Sequence, residues 1–307
     1  MCHRACAWCA RLLVTAWWNS KTRSVTSPLP SAKVHLTTSI VVYKSEPAVL
    51  RATVESLLVA IDTAREAGWL SDARVDLIHN AEPDPAFSAL VDALAAQARA
   101  RQIAFRLLEG HGNVGYGRGH NLSIAQVSSD CHLVLNPDVQ LSPECLLQGL
   151  QYLAENPMVA ALSPAVDDGH GHKQYLCKRY PSVMDFLLRG FAPARVRGWF
   201  RERLAWYEMQ DLPEDSPSIN IPIISGCFML FRTEVLQRVG GFDEAYFLYF
   251  EDFDLSLRVH AHGLLAYVPA MHIVHLGGNS ARKGLRHIGM FARSGLRFYR
   301  SHGWRLW

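Results

Sequence analysis

"ISGCFMLFRTEVLQRVGGFDEAYFLYFEDFDLSLR", residues 224–258, runs from a strand too apolar to be exposed, through a short helix and a Gly240-Gly241 break, into a dense acidic segment. Glu251, Asp252 and Asp254 fall within four consecutive positions, directly behind Tyr246, Phe247, Tyr249 and Phe250. The stretch "EDFDLSLR" predicts a helix start, because the macrodipole favours carboxylates in a first turn and Phe253 and Leu257, four apart, can anchor that turn. Asp252 can then face a pocket, while Asp254 simply favours the helix start.

Upstream, apolar strands alternate with helical spacing. "HLTTSIVVY" (35–43) is a β-branched run that leads to Pro47 at a helix start, with Leu50, Val54, Leu57, Leu58 and Ile61 on one helical face. "ARVDLIHN" (73–80) and "IAFRLLEG" (103–110) read as strands around the helix "PAFSALVDALAAQARARQ" (85–102). This alternation predicts an α/β domain with a largely parallel sheet. "GHGNVGYGRGHN" (110–121) is a glycine-rich turn before a helix near 122–127, and "CHLVLNPDV" (131–139) is a buried strand with a polar tip. Ser142 is expected to cap the next helix, with Pro143 at its first position. Residues 167–181 read as a hairpin or loop, 185–209 as one or two basic helical pieces, 221–232 as one strand and 264–275 as the last strand.

Gly110, Gly112 and Gly115 match the G-x-G-x-x-G spacing of dinucleotide sites, so a nucleotide-dependent oxidoreductase is one reading. Its context fits poorly, since Gly117 and Gly119 postpone the helix and this is the third βα unit. The glycines also suit close backbone approach to a nucleotide or sugar, with Asn113, Asn121 and Asn136 offering amide hydrogen bonds. Asp138 closes its strand at the carboxyl edge of the sheet, where it can hold a divalent cation or serve only the Asn-Pro-Asp turn.

The 307 residues are 49% hydrophobic and 19% charged, the profile of a globular chain, and a net charge of +3 gives no field that would favour nucleic acid. No apolar run approaches the ~20 residues that span a bilayer. The seven cysteines, an odd number, favour reduced thiols and a cytoplasmic setting. Residues 1–33 read as an unstructured leader, with translation expected to begin near Val34. Cys2, Cys6 and Cys9 have the C-x3-C-x2-C spacing of iron-sulfur sites, but no strand precedes them to hold a cluster loop. Residues 276–307 carry six arginines and one lysine and no acid. Within them Arg286, Arg293, Arg297 and Arg300 share one helical face, opposite Ile288, Phe291, Phe298 and Tyr299. Such a helix either docks with a solvated charged face or attaches peripherally to an anionic membrane.

Taken together and in order, "TTSIVVYKSEPAVLRATVESL" (37–57), "GNVGYGRGHNLSI" (112–124), "LNPD" (135–138), residues 224–258 and "HIVHLGGNS" (272–280) resemble the family 2 glycosyltransferases of the bacterial rhamnosyltransferase branch. The resemblance implies a GT-A fold over residues 34–280, a mixed, mostly parallel sheet flanked by helices, followed by a basic helical tail over 281–307. It implies Mg2+ or Mn2+ on Asp138 and His275, Asp252 as the catalytic base assisted by Glu251, and Gly226 with Glu251 on the acceptor side. Tyr43, His79, Asn113, Gly115, Asn121 and Asn136 would line the donor pocket. Two positions depart from the family pattern: Asn136 replaces the first acid of the metal motif, and His79-Asn80 stands where an Asp-Asn pair meets the base. The implied activity is inverting transfer of rhamnose from dTDP-L-rhamnose to a lipopolysaccharide core or other cell-surface glycan. It would take place in the cytoplasm, with peripheral contact to the inner face of the cytoplasmic membrane. A non-catalytic nucleotide-sugar-binding protein is the alternative.

Overall fold

The computed structural model describes residues 33–82, 84–277 and 285–307, so the readings of the leader and of Cys2, Cys6 and Cys9 lie outside the described residues. The first half alternates β1 (Val34–Val42), α1 (Pro47–Glu66), β2 (Leu70–His79), α2 (Pro85–Ala100), β3 (Ala104–Leu108), α3 (Tyr116–Ile124), β4 (Cys131–Leu135), β5 (Val139–Leu141) and α4 (Cys145–Glu155). Every residue of β1 except His35 is buried, as expected of a strand covered on both faces. Leu50, Val54, Leu57, Leu58 and Ile61 of α1 are all buried in the larger core.

The second half adds β6 (Val159–Asp167), β7 (Lys173–Gln174), β8 (Cys177–Lys178), α5 (Val183–Phe191), α6 (Ala194–Trp199), α7 (Arg201–Tyr207), β9 (Ser218–Ile219), β10 (Ile223–Ile224), β11 (Phe228–Arg232), α8 (Thr233–Arg238), α9 (Glu251–His260), β12 (Leu264–His275) and α10 (Leu285–His302). The main path of the large sheet runs β3-β2-β1-β4-β11-β6-β12-β5. β3, β2, β1 and β4 are parallel to one another, β11 runs antiparallel to both β4 and β6, and β12 is parallel to β6. The carboxyl ends of β1, β2, β4 and β12 therefore meet at one edge of the sheet, and the amino end of β11 meets them there. Tyr43, His79, Asn136 to Asp138, His275 and Gly226 are gathered by this topology alone.

Several boundaries differ from those expected. The 221–232 run is two strands, because the chain turns at 225–227 and β10 leaves the main sheet to pair with β8. Helix α3 opens at Tyr116, directly after Gly115, with Gly117 and Gly119 inside it. A Cβ at those two positions would lie 2.8 Å from Phe242 Cβ and 2.9 Å from Val41 Cγ2, so the glycines let α3 sit close to its neighbours. Helix α4 begins at Cys145, after Ser142 and Pro143 have formed a turn. The basic stretch forms three short helices, α5 to α7.

Helix α10 is docked. Phe298 and Tyr299 are buried, and Phe291 packs beside them in an aromatic cluster that also holds Tyr246, Phe250, Phe253 and Phe186. Ile288 is 43% exposed and lies off that face, contrary to expectation. Since the apolar side of α10 is covered by protein, it is not free to enter a bilayer. Among the described residues no helix is long and apolar enough to cross a membrane.

A buried polar chain crosses the sheet beneath this edge: Ser39 Oγ lies 2.7 Å from His120 Nδ1 and 2.9 Å from His132 Nε2. Burial holds the His120 pKa well below its usual value and brings that of His132 down to about 3. The unfolded chain binds these protons near pH 6.5 and the folded one does not, so stability is full above about pH 6.5 and falls as pH drops toward 3. His132 is expected to contribute a slope of about 1.4 kcal/mol per pH unit in that window, and His120 a slope of the same sign. Urea unfolding between pH 7.5 and 5 measures it, and a slope unchanged in His132→Gln would contradict this origin.

Candidate active site

One corner of the site is an acid and an imidazole. Asp138 follows β4 in a turn held at three points: Asn136 N donates to Cys227 O (2.9 Å), Thr53 Oγ1 to Pro137 O (2.8 Å) and Leu276 N to Asp138 O (3.1 Å). The β5–β12 register sets His275 opposite Val139, which brings His275 Nε2 to 3.5 Å from Asp138 Oδ1. That oxygen is buried and has no hydrogen-bond partner among the described residues. Gln174 brackets the histidine. Its Nε2 donates to the His275 carbonyl (3.0 Å), so its Oε1 must accept from His275 Nδ1 (3.0 Å). The proton is thereby placed on Nδ1, and the Nε2 lone pair faces Asp138. The backbone closes tightly over this corner, since a Cβ on Gly277 would stand 1.8 Å from Asp138 Oδ2.

An orphaned carboxylate oxygen and an imidazole lone pair that face each other fit a divalent cation, and the mixed oxygen and nitrogen donors suit Mn2+ as well as Mg2+. Among the described residues no group of three or more His, Cys, Asp or Glu is placed to hold a metal, so Asp138 and His275 would hold it together with oxygens from substrate and water. Gln174→Ala is expected to weaken Mn2+ binding by roughly 10–100-fold without unfolding the chain, as measured by calorimetry.

The other corner is the start of α9. Tyr249 (φ 71°) and Phe250 (φ 66°) are both left-handed, a conformation that costs non-glycine residues on the order of 1 kcal/mol or more each. Packing holds them there: the Phe250 ring sits on Gly295 of α10, and Ser294 Oγ donates to Leu248 O at 2.8 Å. The sharp reversal turns Glu251 and Asp252 inward. Asp252 accepts from Gly226 N through Oδ2 and from Phe253 N through Oδ1, both at 2.9 Å. Burial raises the Asp252 pKa, and these backbone donors oppose that rise. Glu251 has a buried Oε2 without a hydrogen-bond partner among the described residues, and burial followed by the Asp252 charge pushes its pKa well up. Of the pair, Glu251 is the one that holds a proton and Asp252 the one held as an anion.

Asp254 does more than start the helix. It is buried, 2.7 Å from Arg258 Nε and 2.8 Å from His302 Nε2, and ties α9 to the end of α10. Burial alone would raise its pKa, but the His302 and Arg258 contacts carry it below the usual range.

Tyr116, which the sequence did not single out, packs beside Gly226, as Asp252 does. Its hydroxyl donates to Gly226 O at 2.5 Å. Burial, more than any neighbouring charge, holds its phenol protonated. Only its place directly behind the glycine turn could have pointed to it.

The expected donor residues divide. Tyr43 is 49% exposed at the end of β1, and Asn113 is exposed with Oδ1 accepting from Gly115 N at 3.1 Å. Asn136 is half-buried at the same edge. His79 is buried and stacked on Phe87 with ring centroids 3.8 Å apart, its Nδ1 3.7 Å from Glu109. Gly115 and Asn121 make structural contacts of their own. Gly115 has φ 91°, and a Cβ there would lie 2.4 Å from Phe247 O, to which Tyr116 N donates. Asn121 uses both ends of its amide on the Phe242 backbone, each at 2.9 Å. Both residues fasten the 242–247 segment to α3, because the acidic turn needs a rigid support. The close backbone approach that Gly115 permits is thus to Phe247, where a dinucleotide reading needs a pyrophosphate.

Comparison with known proteins bears on this site. The sequence pattern of "Glycosyl transferase family 2" matches residues 38–240. An N-acetylglucosaminyl-diphospho-decaprenol L-rhamnosyltransferase of Mycobacterium tuberculosis is 34% identical over 218 residues, 65% of this chain and 68% of that protein. Rhamnosyltransferase WbbL of Escherichia coli K12 is 28% identical over 182 residues, 56% of this chain and 64% of its own length. Among solved structures, mannosyltransferase PcManGT from Pyrobaculum calidifontis in complex with GDP-Man and Mn2+ superposes with a TM-score of 0.54 at 17% identity, over 89% of this chain and 66% of that one. GalNAc-T7 with UDP, GalNAc and Mn2+ gives 0.60 at 11% identity, over 88% and 48%. At such identities these two speak for the α/β GT-A fold alone. With its family pattern, its rhamnosyltransferase relatives and a GT-A sheet whose carboxyl edge gathers the acids, the chain belongs to the family 2 glycosyltransferases.

Proposed function

We propose that the protein is an inverting, metal-dependent rhamnosyltransferase that moves L-rhamnose from dTDP-L-rhamnose to a hydroxyl of a cell-surface glycan growing on a lipid diphosphate carrier. The observation that carries this reading is Asp252, aimed by Gly226 N, on a turn whose Cys227 carbonyl accepts from Asn136 N of the turn that presents Asp138 to His275. The M. tuberculosis relative, whose name specifies a decaprenol-linked sugar, supports the acceptor class. Setting the reaction on the cytoplasmic side, where nucleotide sugars are made, belongs to the same proposal.

Asp138 and His275 would hold a divalent cation, which would supply charge stabilisation to the leaving diphosphate. Asp252 takes the proton from the attacking acceptor hydroxyl as the new bond forms, through one of the oxygens now held by backbone N–H groups. Glu251, protonated, can donate a hydrogen bond to a sugar oxygen while leaving the negative charge on Asp252. A single displacement of this kind inverts the anomeric centre, so a β-linked donor gives an α-rhamnoside. Tyr43, Asn113 and Asn136, on the same sheet edge, are the proposed donor contacts, with His79 closing the base end in place of the family's aspartate.

The test is release of free nucleotide diphosphate from a panel of nucleotide sugars with Mn2+ or Mg2+, which needs no acceptor. Metal-dependent turnover of dTDP-L-rhamnose above the other donors supports class and donor together. No turnover of any donor by a chain that binds them in calorimetry returns the protein to a non-catalytic binding role.

A further inference from the structure

We infer that a face built from α5, α6, α7 and residues 304–307 docks the protein on an anionic phospholipid surface, an inference that rests on the lipid-linked acceptor proposed above. Among the described residues the most exposed large apolar side chains lie here: Trp199 is 80% exposed, Leu306 70%, Trp307 68%, with Trp304 and Leu187 about half exposed. Helix α6 has no buried residue along its length. The pieces are joined into one surface. Val183 N and Met184 N, at the start of α5, donate to the carbonyls of Arg305 and Leu306 at 2.8 and 3.3 Å. The Trp307 ring lies 6.2 Å from that of Phe200, the residue after Trp199.

Charge specifies the occupant. Arg195, Arg197 and Arg201 are exposed on this face, and Arg203 stacks over Trp307 at 4.4 Å. Within 183–203 the acids are Asp185 and Glu202, and Asp185 is already buried against Arg203 at 2.7 Å. Exposed apolar groups this large mark contact surfaces, and tryptophan and leucine interleaved with arginine suit the headgroup layer of an anionic membrane. Helix α10 cannot do this through its apolar side, which lies under the aromatic cluster.

The location suits the chemistry. Phe186 of α5 packs on Phe250 (centroids 4.9 Å) and Phe253 (6.3 Å), the residues on either side of Glu251 and Asp252. One aromatic layer therefore separates the docking face from the start of α9, so a carrier lipid in the bilayer would offer its sugar on the acceptor side.

The test is cosedimentation of the full chain with vesicles of phosphatidylglycerol and phosphatidylethanolamine, against phosphatidylcholine alone. It compares wild type with the combined Trp199→Ser, Leu306→Ser, Trp307→Ser variant and with Arg195→Ala, Arg197→Ala, Arg201→Ala. The wild type is expected to bind the anionic vesicles, at least about tenfold more tightly than either variant and than phosphatidylcholine, with binding reduced by salt. Donor hydrolysis without vesicles, measured on the same samples, is expected to be equal in all three and reports separately on the proposed function. No binding by the wild type, or equal binding by all three proteins, overturns the inference. So does a wild-type dimer in sedimentation velocity that the tryptophan variant abolishes, which would assign the face to a second copy of the chain.

Discussion

Asp252→Asn is expected to lower turnover by roughly 10²- to 10⁴-fold, the range of a positioned general base, while donor affinity and metal binding stay close to wild type. The asparagine oxygen can still accept from Gly226 N, now at 2.9 Å from Asp252 Oδ2, while its amide nitrogen cannot accept from Phe253 N as Oδ1 does, so one of the two backbone contacts at the start of α9 is kept. Because burial opposes the ionised aspartate, the neutral side chain relieves a cost that offsets the lost Phe253 N contact, and Tm is expected to stay close to that of the wild type. A loss of activity with no loss of stability separates a proton-transfer role from a structural one. Glu251→Gln gives the contrast. Burial and the neighbouring charge already keep Glu251 protonated, so the neutral amide imitates its working form and should cost less than about tenfold. The sign of the pH dependence follows from the same directions. Asp252 must be ionised to act, and its pKa is raised, so kcat/KM is expected to fall on the acid side at a pH above the ordinary carboxylate range. An acid limb that vanishes in Glu251→Gln and survives in a residually active Asp252→Asn would reverse the assignment.

The second large effect is expected at the metal corner. Asp138→Asn removes the one carboxylate placed against His275 Nε2 and should weaken Mn2+ by more than about 100-fold, beyond the 10–100-fold typical of an outer partner such as Gln174. Gly277→Ala is expected to have nearly the same effect by a different route. Its methyl would stand 1.8 Å from Asp138 Oδ2, so the carboxylate must leave its place or the 275–277 backbone must move. Manganese titration of both variants, with circular dichroism to confirm folding, checks the pair. Gly277→Ala binding manganese as wild type does would show that the backbone over Asp138 yields easily.

Much of this was legible in the sequence because periodicity and turn chemistry are local. The β-branched runs at 34–42 and 264–275, the helical spacing from Leu50 to Ile61 and the acidic first turn at Glu251 each follow from neighbours a few residues apart. The errors arose where a residue's role depends on a distant contact. Gly117 and Gly119 looked like helix breakers and lie inside α3, because Phe242 and Val41 occupy the space a side chain would need. Asn121 looked like a ligand contact and binds the Phe242 backbone, 121 residues away. Asp254 looked like a helix-start acid and is a buried partner of His302. Tyr116 carried no signal of its own, although it touches the Gly226 carbonyl.

The sequence by itself determined the alternation that makes an α/β sheet and the identity of the acids at its turns. Only the tertiary structure shows how differently the two acids are held and that Asp138 and His275 meet. Strand direction brings the ends of β4 and β12 to the start of β11 on one edge, and the left-handed turn at Tyr249 and Phe250 swings α9 over it. Glu251 and Asp252 are chemically equivalent neighbours in the chain. Burial together with two backbone N–H groups from separate places makes one an anion and leaves the other protonated, and a field of that kind exists only once the chain is packed.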